Sequence, residues 1–123
     1  MTLNKYLRAE NEIQLILNRY CNNSISELSK SNLIPDVEAY LKKWCREIPA
    51  LKSIRNDLRQ NLEDCKKEDS LQQESILNAY QICVEDLYGA TFTINAERLH
   101  RQACRIISKI DEGMDSYFYN RFG

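Results

Sequence analysis

The sequence predicts an all-α protein, a bundle of about four to five mostly antiparallel helices. Three observations predict it. Only three glycines and two prolines punctuate 123 residues, far fewer than the tight turns of a sandwich or barrel require. Apolar residues recur at steps of three and four along most of the chain, the spacing that lines one face of a helix. The connectors between these stripes are short, which favours antiparallel neighbours. The length suits a single domain spanning residues 1–123.

A first helix, capped by Thr2, carries the stripe Leu3, Tyr6, Leu7, Ile13, Ile16, Leu17, Tyr20 and Cys21, interrupted by Glu10 at an edge of the packing face or a partner contact. Asn22-Asn23-Ser24 ends it, because short polar side chains compete for backbone hydrogen bonds. Ser24 and Glu27 have capping-box spacing, so a short helix through Ile25 and Leu28 follows. The longest stripe then runs from Pro35 to Cys65 through Val37, Tyr40, Leu41, Trp44, Ile48, Leu51, Ile54, Leu58 and Leu62. It keeps its phase across Pro49. That favours one Pro-kinked helix over two helices meeting at the proline, although proline removes a donor and disfavours helical geometry at the residue before it.

Ser70 with Gln73 opens the next predicted helix, through Leu71, Ile76, Leu77, Tyr80, Cys83, Val84, Leu87 and Tyr88, with Gly89 as its stop. From Asp69 to Glu97 there is no lysine or arginine, and the polar face is mostly uncharged. Such residues tolerate partial burial, so this helix is expected to be the most enclosed or to lie at an interface. Ala90 to Ile94 reads as an extended loop that tucks Phe92 and Ile94 into the core. A last helix, capped by Thr93 or Asn95, should turn Ala96, Leu99, Ala103, Ile106, Ile107 and Ile110 inward and stop at Gly113. An aromatic C-terminal tail closes the chain.

Two features are candidate binding sites. Tyr117, Phe118, Tyr119 and Phe122 crowd the tail; they either close the bottom of the bundle or anchor a partner protein. Arg98, Arg101, Arg105 and Lys109 form a basic ridge roughly opposite the last helix's apolar stripe, suited to an anion or an acidic partner or, failing that, simply solvated.

The remaining chemistry is defined by absences. The glycines at 89, 113 and 123 cannot form a phosphate-binding loop, and the single histidine, His100, leaves any nucleophile with one candidate base. Five cysteines at 21, 45, 65, 83 and 104 are odd in number and unpaired in spacing. That predicts buried thiols in a reducing intracellular compartment, cytoplasm or nucleus, rather than disulfides or zinc. A net charge of −1 removes the bulk argument for nucleic acid or membrane. No apolar run approaches the ~18 residues of a membrane span, and the charged opening Met-Thr-Leu-Asn-Lys predicts no secretory leader.

The expectation is therefore a non-catalytic protein–protein interaction module, an adaptor or assembly subunit. It would use no cofactor or metal, and its partner would be another protein or a second copy of itself. A nucleic-acid-associated protein using the basic ridge is the alternative. A small helical enzyme or ligand-binding bundle is the third reading, and no small-molecule ligand is evident from the residues.

Overall fold

The structure is a computed structural model; it describes the backbone of residues 2–67 and 72–122 and the side chains of residues 5–67 and 72–111. The described residues form five α-helices: α1 (Thr2–Tyr20), α2 (Ile25–Ser29), α3 (Leu33–Glu47), α4 (Lys52–Cys65) and α5 (Gln72–Phe122). A single 3-10 turn, Pro49–Leu51, joins α3 to α4.

Cross-helix hydrogen bonds fix the directions. Arg19 and Tyr20 of α1 meet Asp36 of α3, while Ala9 meets Tyr40 and Glu12 meets Trp44, so α1 and α3 run antiparallel. Gln81 of α5 bonds the Tyr20 carbonyl and Asn95 bonds the Tyr6 carbonyl, so α5 is antiparallel to α1 as well. Cys65 of α4 lies beside Ser75 and Asn78 at the start of α5. The result is an up-down-up-down arrangement of α1, α3, α4 and the first half of α5, with α2 bridging α1 and α3.

The core lies where the predicted stripes converge: Ile13, Leu28, Leu33, Val37, Trp44, Cys45, Ile48, Leu51, Val84 and Leu87 are essentially inaccessible. The Ser24 hydroxyl accepts from the Glu27 N–H and the Glu27 carboxylate accepts from the Ser24 N–H, the reciprocal capping box its spacing predicts. α5 packs against all four other helices and buries chiefly its apolar face, while Gln72, Gln73 and Asn78 of the uncharged polar face stay exposed and Ser75 and Gln81 are half-buried.

Two boundaries differ from the sequence reading. The stripe around Pro49 belongs to two helices rather than one kinked helix. Ile48 sits at φ −124° and ψ 88°, extended as a residue before proline prefers, and α3 ends at Glu47. The stripe keeps its phase because Ile48 and Leu51 are three apart in a 3-10 turn, where such residues eclipse. The predicted Ser70 cap lies outside the described residues.

The second correction concerns α5. No stop occurs at Gly89, no loop at Ala90–Ile94 and no stop at Gly113; one helix of 51 residues continues to Phe122. Gly89 keeps a negative φ. The Thr91 hydroxyl donates to the Leu87 carbonyl at 2.8 Å and the Thr93 hydroxyl to the Gly89 carbonyl at 2.8 Å. These bonds occupy within the helix the polar groups that would otherwise favour a loop.

A Cβ built at Gly89 meets nothing within 4 Å. Gly89→Ala is therefore expected to stabilise the protein by about 0.5–1 kcal/mol by restricting the unfolded chain. Urea unfolding followed by circular dichroism checks it. An unchanged or lowered midpoint would mean that the glycine serves a contact outside the bundle.

Candidate functional site

α5 is about 76 Å long at ~1.5 Å per residue, roughly twice what the bundle covers. Its last firm attachments lie between Ile94 and Arg98. Asn95, 3% exposed, donates through Nδ2 to the Tyr6 carbonyl at 3.1 Å and to the Glu10 carboxylate. The residue that interrupts the α1 stripe thus serves to hold α5. The Asn95 Oδ1 is buried without a hydrogen-bond partner among the described residues. The Arg98 guanidinium lies 3.8 Å from the centre of the Tyr6 ring, a stacked cation–π contact.

Beyond Arg98 every described residue from Leu99 to Asp111 is exposed. With Ala96 exposed as well, this reverses the expectation that Ala96, Leu99, Ala103, Ile106, Ile107 and Ile110 face inward. Leu99, Ile106, Ile107 and Ile110 are each half or more exposed, and so is Phe92. Phe92, Ala96, Leu99, Ala103, Ile106 and Ile110 follow one another at alternating steps of four and three. That is a heptad seam, which would face a neighbouring helix if one were present. Single exposed apolar residues are ordinary, but a continuous stripe on a projecting helix is not. The positions flanking this seam hold His100, Gln102, Ile107 and Lys109, a single full charge among them.

The basic ridge is on the same projection. Arg98, Arg101, Gln102 and Arg105 line one shallow surface, while Lys109 stands exposed and outside it. Arg98 is partly spent on Tyr6, so the ridge is less free than its spacing suggests. The aromatic residues Tyr117, Phe118, Tyr119 and Phe122 belong to the last turns of α5; their side chains lie outside the described residues.

His100 and Cys104 are one turn apart, with Sγ 3.6 Å from Nε2. They sit on an open helix face without the walls and oxyanion donors that nucleophilic catalysis uses. Among the described residues no three or more of His, Cys, Asp and Glu gather as a metal site, and no described helix is long and apolar enough to cross a membrane. The sequence missed the exposure of the α5 stripe. Its 3-4 spacing was legible, but spacing alone cannot say whether the complement lies in the same chain.

Compared with protein families, curated proteins and solved structures, the chain matches none.

Proposed function

We propose that this protein is a non-catalytic assembly module: the bundle is a base, and the projecting half of α5 pairs with a second copy of itself. The observation that carries this reading is the heptad-spaced stripe from Phe92 to Ile110, which leaves the bundle unpartnered. Its span is about 27 Å of helix. Two features favour self-pairing. The flanks of the seam present only Lys109 as a full charge, so two copies meet without opposing rows of like charge. Arg98, Arg101 and Arg105 sit off the seam, and Arg101 and Arg105 stay in water. Alanines at 96 and 103 alternate with Leu99 and Ile106, which lets large side chains of one helix fill the gaps left by small ones of the other. Of the aromatic residues farther along the same helix, Tyr117, seven residues after Ile110, continues the heptad register. Buried, unpaired thiols at Cys45 and Cys83 favour a reducing compartment for this module.

The test is the mass in solution of the wild-type chain and of the double variant Leu99→Lys, Ile106→Lys. The wild type is expected as a dimer and the variant as a monomer with unchanged helicity in the bundle, since both sites lie beyond it. A wild-type monomer at about 100 µM, a concentration at which even a weak coiled coil assembles, overturns self-pairing. The broader reading of an interaction module then falls if native extract yields no stoichiometric partner that the wild type retains and the variant loses.

A further inference from the structure

A second concentration of positive charge lies on a different part of the molecule, between α3 and α4. Lys42 and Arg46 from α3 and Lys52, Arg55 and Arg59 from α4 line a trough of about 460 Å³, together with buried Leu41 and exposed Glu38. Its volume falls within the range of small-ligand sites, about 300–1,000 Å³. Glu38 accepts the Tyr80 hydroxyl at 2.7 Å and keeps its negative charge, so the lining sets five cations against one carboxylate. Among the described residues none of the five cations lies within 4.0 Å of a carboxylate. The Arg55 Nε is buried and has no hydrogen-bond partner among the described residues.

Two physical costs are offset only in part by Glu38. Like charges are gathered in a protein whose net charge is −1, and each repels the others. Lys52 and Arg55 also occupy the first turn of α4, where the helix dipole is positive and acidic residues are favoured; this turn contains none. Both costs vanish when an anion fills the trough. Guanidinium forks bind phosphoryl oxygens two at a time, which suits Arg46, Arg55 and Arg59, while Lys42 and Lys52 supply point charges.

We propose that the α3–α4 trough is a binding site for a compact molecule bearing two or more phosphoryl groups, such as an oligophosphate or a multiply phosphorylated headgroup. The site is separate from the α5 seam and does not depend on it. A small ligand is favoured over nucleic acid because the surface is concave and closed in by two helices. The cations on α4 span only about 10 Å from Lys52 to Arg59. Duplex recognition instead uses a protruding element that enters a groove.

Titration calorimetry with inorganic tripolyphosphate on the full chain tests it. The expected result is one site per chain with affinity in the micromolar range, and a rise in Tm on saturation. Arg55→Gln with Arg59→Gln should weaken binding by about tenfold or more. Because Arg55 is half-buried, the exposed pair Lys42→Gln with Arg59→Gln provides the same comparison without touching a packed residue. Arg101→Gln with Arg105→Gln, on the α5 ridge, should leave the affinity unchanged. No binding at low salt overturns the site, as does equal weakening by the α5 pair. Binding to duplex DNA without binding to tripolyphosphate also overturns it. Flotation with phosphatidylcholine vesicles carrying about 5% phosphatidylinositol bisphosphate distinguishes the source. Tripolyphosphate-sensitive recruitment supports a headgroup, and no recruitment alongside solution binding supports a free solute.

Discussion

Replacing Trp44 with alanine is expected to cost about 3–5 kcal/mol of folding stability, a large part of the roughly 5–15 kcal/mol that such a domain possesses. Trp44 is 1% exposed and sits in the seam between α1 and α3. Its indole N–H donates to the Glu12 carboxylate, the Tyr40 ring centre is 6.3 Å away, and Lys43 Nζ lies 4.6 Å from its own ring centre. Lys43 also reaches the same carboxylate at 3.1 Å. The substitution removes the largest fully buried side chain and leaves a void that two antiparallel helices close only by shifting.

Most of this loss is packing rather than the hydrogen bond. The Glu12 side chain is 40% exposed and can rehydrate, so breaking its bond to the indole costs only about 1 kcal/mol. Trp44→Phe separates the two contributions. It keeps an aromatic ring in place and should cost clearly less than half of the alanine variant's loss. Urea unfolding by circular dichroism, at one fixed protein concentration because assembly shifts apparent stability, measures both. A loss under about 1 kcal/mol for Trp44→Ala would contradict the tight α1–α3 seam.

Trp44 also illustrates what sequence alone conveys. Its place on a stripe with Tyr40, Leu41 and Ile48 was readable, because helical periodicity depends only on the chain's own geometry. The Ser24–Glu27 capping box was readable for the same reason. Features that depend on docking were not. Gly89 and the β-like run Thr91–Ile94 carry local signals for a stop and a loop, yet the burial of Thr91, its bond back to the Leu87 carbonyl and the bond of Asn95 to α1 hold them in α5. At Pro49 the 3-10 turn disguises a break as continuity. The inward direction expected for Leu99 and Ile106 assumed that the complement of every stripe lies in the same chain. The α3–α4 trough was hidden differently: Lys42 and Arg46 read as an ordinary solvated face, and so do Lys52, Arg55 and Arg59. Only the antiparallel return at Pro49 brings the two faces together.

The folded state is expected to lose stability progressively in alkali, because four buried groups resist ionisation. Burial pushes the Cys83 thiol up to about 12 from its ordinary 9.0, and burial likewise raises Cys45. Burial first, then the neighbouring Glu38 carboxylate, raises Tyr80; burial and Glu12 raise Tyr40. All four groups hold their protons more tightly folded than unfolded. Their contribution is therefore fully present below pH 9.0 and is lost progressively above it, as the unfolded chain ionises while the folded chain resists. Each such group lowers the unfolding free energy by about 1.4 kcal/mol per pH unit between its unfolded and folded pKa. Ionised Tyr80 would also lose its donor to Glu38 and face a like charge across 2.7 Å. Stability measured from pH 8 to about 11 should thus fall by several kcal/mol, the steepest part lying above the ordinary tyrosine value of 10.0. The double variant Cys83→Ala, Tyr80→Phe removes two of the four groups and should flatten that slope even though its starting stability is lower. A wild-type stability that stays level through this range, or an equal slope in the variant, would mean that these side chains meet water in the folded state.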